Sequence, residues 1–262
     1  MRVPFFAAVF LTLALALPAW GSTLLHRYTF EGASAADAVG DLDGTPFGDA
    51  DFTTADSAEG SWAAVFDGDD DYIAFGTTAF DASAFSVAMW VKADDLSTVQ
   101  GLLSNKSGGA APGFSLFFAT TGKIYNETGN GSASDSAWTA ENIMEAGQWR
   151  HLAFTVDRAG GEGRIYYQGT DATADSSILT DFAWEGGWRL AIFTDDRYDF
   201  GGLLDDVQIY QGVLAPEEVA YLAQHPGAVI PEPATLWTTL ALAGLWGLRA
   251  RWRARRLASG GA

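Results

Sequence analysis

The segment Phe85-Ser-Val-Ala-Met-Trp-Val91 decides the fold class of this chain. Side chains of a β-strand point alternately to opposite faces, so Val87, Met89 and Val91 share one face and the residues between them share the other. Both faces carry apolar side chains, which is typical of a strand in the middle of a covered sheet. The segment therefore predicts a central strand in a layered β structure.

Similar short apolar runs recur on both sides of this segment, separated by clusters of Gly, Asp, Ser and Thr. This spacing is typical of an antiparallel sandwich and not of alternating strands and helices. One helix is predicted from Pro216 to about Gln224, because proline suits a first turn and two glutamates follow it near the positive end of the helix dipole. The predicted fold class is all-β, an antiparallel β-sandwich. The predicted strands are Leu24–Phe30, Trp62–Phe66, Phe85–Ala93, Gly113–Ala119, Gln148–Val156, Arg164–Tyr167, Trp188–Thr194 and Leu203–Tyr210.

The composition limits the classes of function. The chain has 262 residues, of which 48% are hydrophobic, enough for one sizeable core. It carries 33 acidic and 15 basic residues, a formal net charge of -18, so its surface repels nucleic acid and anionic membranes. Cysteine is absent. The fold must therefore be stabilised by its core, with a bound metal as the one available supplement.

The N-terminal residues 1–21 have the pattern of a secretory signal peptide. Arg2 precedes an apolar run from Val3 to Leu17 that is too short to span a bilayer, and small residues follow Pro18. The predicted cleavage site lies between Gly21 and Ser22. A buried N-terminal helix is the disfavoured alternative, because no polar face interrupts the run. The predicted folded domain covers residues 22–227.

The C-terminal residues 228–262 combine Pro231-Glu232-Pro233, a short apolar run from Leu236 to Leu248 and a cluster of arginines. The run is shorter than the roughly 20 residues that span a membrane comfortably, and the arginines would remain on the cytoplasmic side. The arginines are Arg249, Arg251, Arg253, Arg255 and Arg256.

This tail resembles a PEP-CTERM sorting signal of Gram-negative bacteria. The resemblance implies exosortase and the general secretion machinery as partners, a short transmembrane helix that anchors the chain transiently in the inner membrane, and processing near Pro-Glu-Pro. Delivery to the cell surface or extracellular matrix would follow. A permanent membrane anchor is the alternative.

Several segments, in order along the chain, resemble the laminin-G-like, concanavalin A-like lectin/glucanase superfamily. They are His26-Arg-Tyr-Thr-Phe-Glu-Gly32, Ala64-Val-Phe-Asp-Gly68, Phe85–Lys92, Gly147–Asp157, Gly202–Tyr210 and Leu214-Ala-Pro-Glu-Glu218. The resemblance implies a jelly-roll sandwich. Gln168 and Gln208 depart from the family pattern, at a hairpin turn and at a position often held by arginine.

No catalytic residue is predicted. Glucanases of this superfamily carry Glu-x-Asp-x-x-Glu on one strand, which places two carboxylates at the separation that retaining hydrolysis requires. The nearest segment, Glu141-Asn-Ile-Met-Glu145, lacks the central aspartate.

The resemblance also implies a structural Ca²⁺ near the meeting point of the first and last strands. Hard cations need several oxygen ligands, and Glu31, Asp205 and Asp206 stand at matching positions. A second candidate metal site lies in one acidic turn. The open alternative is that this turn binds no metal. Its residues are Asp67, Asp69 and Asp71.

Aromatic residues near predicted loops are candidate sugar contacts, because sugar binding needs exposed rings beside hydrogen-bonding groups. Capping of the sandwich edges is the alternative role. Trp90 and Trp149 are assigned to the core. The candidates are Tyr125, Trp138, Trp184, Trp188 and Tyr198.

These observations favour a non-catalytic exported protein of the cell surface or extracellular matrix that binds polysaccharide, glycoprotein or another extracellular polymer, and not nucleic acid. Two alternatives stay open: a glycoside hydrolase or lyase of the same superfamily, and a purely structural envelope protein.

Overall fold

The computed structural model describes residues 21–76, 83–182 and 187–231 of the chain. Short strands occupy most of these ranges, and one helix follows them. The strands are β1 (Thr23–Tyr28), β2 (Thr45–Phe47), β3 (Asp51–Thr53), β4 (Ala63–Asp67), β5 (Tyr72–Phe75), β6 (Ala84–Ala93), β7 (Gln100–Ser104), β8 (Gly113–Phe118), β9 (Ile124–Gly129), β10 (Ser134–Thr139), β11 (Arg150–Asp157), β12 (Glu162–Tyr167), β13 (Thr170–Asp171), β14 (Thr173–Asp175), β15 (Trp188–Leu190) and β16 (Gly201–Gln211), and the helix is α1 (Pro216–Gln224).

Two antiparallel sheets form the sandwich, which confirms the predicted fold class. The first sheet has the order β13-β12-β11-β6-β16-β4-β3, and β1 also pairs with β16. The second sheet has the order β14-β10-β9-β8-β7-β15-β5-β2. Strand β6 lies between β11 and β16, so the segment that predicted a central strand does occupy the middle of a sheet.

The main core lies between the sheets. Val87, Met89 and Val91 point into it from β6. Phe154 and Leu152 enter it from β11, and all five of these side chains are almost completely excluded from solvent. The alternation that the sequence predicts therefore holds, with one face of β6 buried between the layers.

Helix α1 packs on the outer face of the first sheet and forms a second core. Val219 and Leu222 of the helix meet Ala88 and Tyr210 of the sheet, and Ile230 closes this cluster. Domain contacts thus continue beyond 227 to Ile230. Because both cores are built from residues between 22 and 230, this part of the chain has what a domain needs to fold alone.

The largest boundary error concerns the strand predicted at Trp188–Thr194. The strand ends at Leu190 because Ala191 adopts a φ of 71°, in the left-handed region that breaks a strand. The chain then turns through residues 191–200 before β16 begins. The helix was predicted correctly at both ends.

Candidate functional site

Three aromatic side chains form a row on the outer face of the second sheet. Phe117, Tyr125 and Trp138 lie on the neighbouring strands β8, β9 and β10, and the register pairs Tyr125 with each of the other two. Side chains alternate along a strand, so these three point away from the core that Leu116 and Ile124 enter. The row therefore crosses the strands on the solvent side.

Two rings of this row stack on each other, and a lysine lies over the second and third rings. The centroids of Phe117 and Tyr125 are 5.0 Å apart and their planes differ by 6°. The two rings are therefore nearly parallel and stacked. The Nζ of Lys123 lies 5.1 Å from the centroid of Tyr125 and 4.6 Å from that of Trp138, within cation–π range. The row is therefore a continuous ridge that includes a positive charge.

The turn after β15 adds two aromatic rings. Phe193 meets Phe117 edge-on, with centroids 5.5 Å apart, and Tyr198 meets Phe193 in the same way at 5.0 Å. Tyr198 is 38% exposed and has a φ of 63°, a conformation that non-glycine residues rarely adopt. The N–H of Gly101 donates to the Tyr198 carbonyl over 2.7 Å. The fold thus holds a strained backbone that presents Tyr198 to solvent.

A groove of about 430 Å³ lies between this turn and the sheet. Phe117, Phe193 and Tyr198 supply its aromatic lining, and Glu127 and Arg197 supply charged groups. The volume is within the range of about 300 to 1,000 Å³ that is typical of ligand sites. Aromatic rings beside a few polar groups are what a sugar ring requires. The other lining residues are Val99, Gly108 and Gly109.

A buried lysine lies directly behind two lining residues. The Lys106 side chain is 0% exposed, and its Nζ donates to the Gly109 carbonyl over 2.5 Å and lies 3.4 Å from a Glu127 carboxylate oxygen. Burial lowers the pKa of Lys106, and Glu127 opposes that shift. Since a buried ammonium group needs partners, this pair holds the Glu127 carboxylate in a defined place at the groove.

Unpartnered polar atoms lie close to the same carboxylate. Ser115 pairs with Glu127 across β8 and β9 and shares its outer face, and the Ser115 hydroxyl is buried without a hydrogen-bond partner. The Asn105 side chain accepts from the Phe114 N–H over 2.8 Å, but its amide nitrogen is also buried without a partner. Such atoms are rare in folded proteins. Both residues are buried and neither lines the groove, so this unused hydrogen-bonding capacity lies beneath the groove and not at its surface.

The charges of the groove are matched locally. The Arg197 Nε donates to Asp195 over 2.6 Å and its Nη2 donates to the Ser107 carbonyl over 2.8 Å. The guanidinium also lies 5.3 Å from the Tyr198 ring centroid. Because Asp195 balances Arg197 and Lys106 balances Glu127, the groove favours an uncharged ligand.

Three of the five predicted aromatic residues belong to this face. Tyr198 lines the groove from a turn, as predicted, whereas Tyr125 and Trp138 lie within strands and join the ridge beside it. Trp184 lies outside the described residues. Sequence reasoning missed Phe117 and Phe193, which it placed inside predicted strands, and it missed Lys106, Glu127 and Arg197, for which no local pattern exists.

The prediction for Trp188 is wrong. Trp188 is in β15 and 1% exposed, stacked on Phe75 with centroids 3.9 Å apart. It belongs to the core and cannot contact a ligand. Trp90 and Trp149, which were assigned to the core, are instead half-buried, and Trp149 donates through Nε1 to Asp56 over 2.8 Å.

The three carboxylates of the first predicted calcium site serve other partners. Glu31 accepts the N–H groups of Ser61 and Trp62, and Asp205 accepts those of Ala58 and Glu59. These bonds fix the loop that precedes β4. Across the part of the chain that the structure describes, the two residues do not gather with Asp206 into one oxygen cluster.

Asp206 forms a buried polar cluster with Arg27. The Arg27 Nε donates to Asp206 over 2.7 Å, and its Nη2 donates to the Gly227 carbonyl over 3.0 Å and lies 3.4 Å from Glu59. Asp206 also accepts from the Gln208 side chain over 2.9 Å. The arrangement joins β1, β16 and the chain after α1, and it identifies Asp206 as a structural residue.

One of the three residues predicted in the acidic turn, Asp71, belongs to a different cluster. Within the described ranges, carboxylate oxygens of Asp49, Asp70 and Asp71 lie within 4.8 Å of one another. Asp71 is buried and accepts the N–H groups of Asp49 and Asp67 over 2.7 and 2.9 Å. Asp67 instead accepts the Asp69 N–H over 2.8 Å. Calcium binding at this turn stays a prediction.

Asp205 predicts a pH dependence of stability. Burial raises its pKa from 3.8 to about 7, against three backbone hydrogen bonds that lower it. Between pH 3.8 and about 7, the folded state binds one more proton than the unfolded state. The contribution of Asp205 protonation to the free energy of unfolding is therefore complete below pH 3.8 and is lost as the pH rises through 7. We expect the free energy of unfolding to fall by up to about 1.4 kcal/mol per pH unit in this window.

Urea unfolding of residues 22–231 at pH 5, 6, 7 and 8 measures this slope. Asp205→Asn should flatten it, whereas Asp41→Asn, at an exposed position, should leave it unchanged. An unchanged slope in Asp205→Asn would contradict the assignment.

The segments predicted for processing are only partly within the described residues. Gly21, Ser22 and Pro231 are described, and Glu232, Pro233 and the five arginines lie outside. Among the described residues, no helix has the length and apolar character needed to cross a membrane.

Sequence comparison settles the family. The laminin G family model described as the concanavalin A-like lectin/glucanases superfamily matches residues 67–220. This chain belongs to that superfamily. The match covers the strands that build the groove and the second sheet's aromatic ridge. No curated protein matches the sequence.

Solved structures of the same fold include sugar-binding examples. Domain 4 of AbnA, a GH43 extracellular arabinanase from Geobacillus stearothermophilus in complex with arabinotriose, has a TM-score of 0.61 and 23% identity, over 78% of this chain and 99% of that domain. The botulinum neurotoxin serotype G binding domain has a TM-score of 0.59 and 15% identity, over 77% of this chain. A botulinum neurotoxin type C structure, whose cell entry depends on two ganglioside molecules, has a TM-score of 0.60 and 12% identity over 77% of this chain. The chain spans about half, 51%, of each neurotoxin structure.

Proposed function

We propose that this protein is an exported, non-catalytic component of the cell surface or extracellular matrix whose jelly-roll domain binds an uncharged carbohydrate polymer. The observation that carries the proposal is the groove on the second sheet, where the exposed ring of Tyr198 and the half-buried ring of Phe117 line the same space as the Glu127 carboxylate that Lys106 holds.

A sugar has an apolar ring face and a hydroxyl-bearing edge, and the groove has separate contacts for each. The apolar face of a sugar ring would pack against Tyr198 and Phe117, which line the groove and keep exposed surface, and its hydroxyl edge would donate to Glu127. The net charge of -18 disfavours anionic polymers such as polyuronates. An uncharged glycan is therefore the preferred ligand class.

The similar structures support a glycan ligand by analogy. One of them was solved with arabinotriose and another concerns gangliosides. Folds host many functions, so this analogy supports the choice of ligand class and the groove supports the choice of site.

Export is the second part of the proposal. It rests on the signal-peptide pattern of residues 1–21 and on the PEP-CTERM-like tail, which together support a location outside the cytoplasm. Exosortase and the secretion machinery are the proposed processing partners. A sugar-binding domain on the surface or in the matrix would then hold polysaccharide near the cell.

Binding of residues 22–231 to immobilised polysaccharides tests the ligand class and the site. We expect binding to neutral polymers such as arabinan, galactan or glucan, and not to polygalacturonate or alginate. Tyr198→Ala should weaken binding about tenfold or more, because it removes one ring wall and about 1.4 kcal/mol of contact free energy.

Tyr221→Ala is the matched control, since Tyr221 is 43% exposed on α1, and α1 packs on the opposite layer of the sandwich through Val219 and Leu222. It should bind like the unaltered domain. Equal affinities for Tyr198→Ala and Tyr221→Ala would show that the groove is not the site.

A further inference from the structure

A buried carboxylate on α1 lacks half of its partners. Glu218 lies in the first turn of the helix and is 1% exposed. Its Oε2 accepts the Ala215 N–H over 2.7 Å, but its Oε1 is buried without a hydrogen-bond partner. Apolar neighbours such as Val219 surround the helix base. An unpaired carboxylate oxygen at such a place is costly, because burial removes its water without replacing it.

The neighbour of this carboxylate is the first residue after the predicted cleavage site. Ser22 is 0% exposed, and its hydroxyl is buried without a partner in good geometry. That hydroxyl nevertheless lies close enough to Glu218 to lower the pKa of the carboxyl, which burial raises. Ser22 packs against Gly212, and Glu218 binds the N–H of Ala215 three residues further along, so the two unpartnered groups lie in the same region of the fold.

The backbone holds Ser22 in this place. Strand β1 begins at Thr23, which pairs with Gln211. Gly212 follows with a φ of 92°, and a Cβ at this position would lie 2.8 Å from the Gly21 carbonyl and 3.3 Å from the Ser22 Cα. The chain on either side of the Gly21–Ser22 bond is thus tightly packed against the end of β16.

We infer that cleavage between Gly21 and Ser22 creates a buried ion pair between the new α-ammonium group of Ser22 and the Glu218 carboxylate. Hydrolysis adds one water molecule: its hydroxyl goes to the Gly21 carbonyl carbon, and its hydrogen goes to the Ser22 nitrogen, which takes up a further proton from solvent. The α-amino group has an ordinary pKa of about 8, so it is charged at neutral pH. This inference depends on the predicted cleavage position and not on glycan binding.

Cleavage changes the hydrogen-bond donors and the charge of the Ser22 nitrogen. The uncleaved peptide supplies one neutral N–H, whereas the free terminus supplies three donors and a positive charge. The carboxylate that was incompletely partnered then gains a charged partner. Removal of the signal segment would therefore stabilise the folded domain, so that the mature form is more stable than the precursor.

Thermal unfolding of four proteins tests the pair. Residues 22–231 are released by a site-specific protease so that Ser22 is the first residue, and a second protein keeps Trp20-Gly21 in front of it. Each is also made with Glu218→Gln. We expect the Ser22 start to raise Tm by about 4 to 8 °C over the extended start, and Glu218→Gln to abolish this difference.

Glu217→Gln is the matched control, because Glu217 is exposed on the same helical turn. It should preserve the difference between the two starts. Equal Tm values for both starts of the unaltered domain would overturn the inference, as would a difference of the same size that persists in Glu218→Gln, since that would reflect crowding by the extra residues alone.

Discussion

Replacing Trp188 with alanine is expected to lower the free energy of unfolding by about 4 kcal/mol. The ring is almost completely buried and stacks on Phe75 of β5. It also meets Tyr28 of β1 edge-on, with centroids 6.0 Å apart. Because Tyr28 belongs to the first sheet and Trp188 to the second, the substitution removes a contact that joins the two layers and leaves a large cavity.

Urea unfolding of residues 22–231 measures this effect. Trp188→Phe should cost much less, because it keeps a stacked ring and also removes a buried indole N–H that has no hydrogen-bond partner. The exposed substitution Tyr221→Ala should change stability by less than about 0.5 kcal/mol. A loss below about 1 kcal/mol in Trp188→Ala would contradict the placement of this ring between the sheets.

Replacing Arg27 with methionine is expected to cost about 3 to 5 kcal/mol. Methionine keeps much of the apolar stem but leaves the Asp206 carboxylate, whose side chain is 3% exposed, without its cation. The substitution also removes the donor to the Gly227 carbonyl that ties down the chain after α1. An uncompensated charge in the interior costs more than the pair contributed, which is the reason for the large effect.

Arg164 provides the matched comparison. Its side chain is 42% exposed and pairs with Glu162 and Asp171 at the surface, so Arg164→Met should cost less than about 1 kcal/mol. Similar losses for Arg27→Met and Arg164→Met would refute the structural role assigned to the Asp206 cluster.

The central strands were predictable because the apolar residues that the sequence pattern assigns to the core are the residues that the fold buries. Strands β6, β11 and β16 are rich in apolar residues, and their observed bounds lie close to the predicted ones. Strands β9 and β10 were missed. Their inward positions include polar residues such as Asn126 and Thr128, so no alternation of apolar and polar residues marks them in the sequence.

The groove was only partly predictable for a related reason. Tyr198 stands out as an aromatic residue in an acidic turn. Phe117 resembles a core residue and reaches the groove only because of strand register. Phe193 is 2% exposed and borders the groove only because of the turn at Ala191. Lys106 lies in the turn after β7 and Glu127 lies in β9, so no local sequence pattern indicates their pairing.

Acidic residues were the least predictable group. Asp205 and Asp206 lie at a register shift in β16, where the irregular backbone exposes N–H groups and calls for carboxylate partners. Sequence alone does not distinguish a carboxylate that binds backbone N–H groups from one that binds a cation. The family resemblance thus predicted the fold correctly, whereas calcium binding by these side chains stays a prediction, and their described partners are N–H groups and Arg27.

The most direct test of the account is a titration of ¹⁵N-labelled residues 22–231 with the tightest-binding neutral oligosaccharide from the polysaccharide series, followed by backbone amide chemical shifts. If the glycan binds in the groove, the shifts will concentrate around residues 99–109, 115–127 and 193–198, on the outer face of the second sheet. Shifts concentrated on α1 and the first sheet would contradict the account, as would spectra that do not change at saturating sugar.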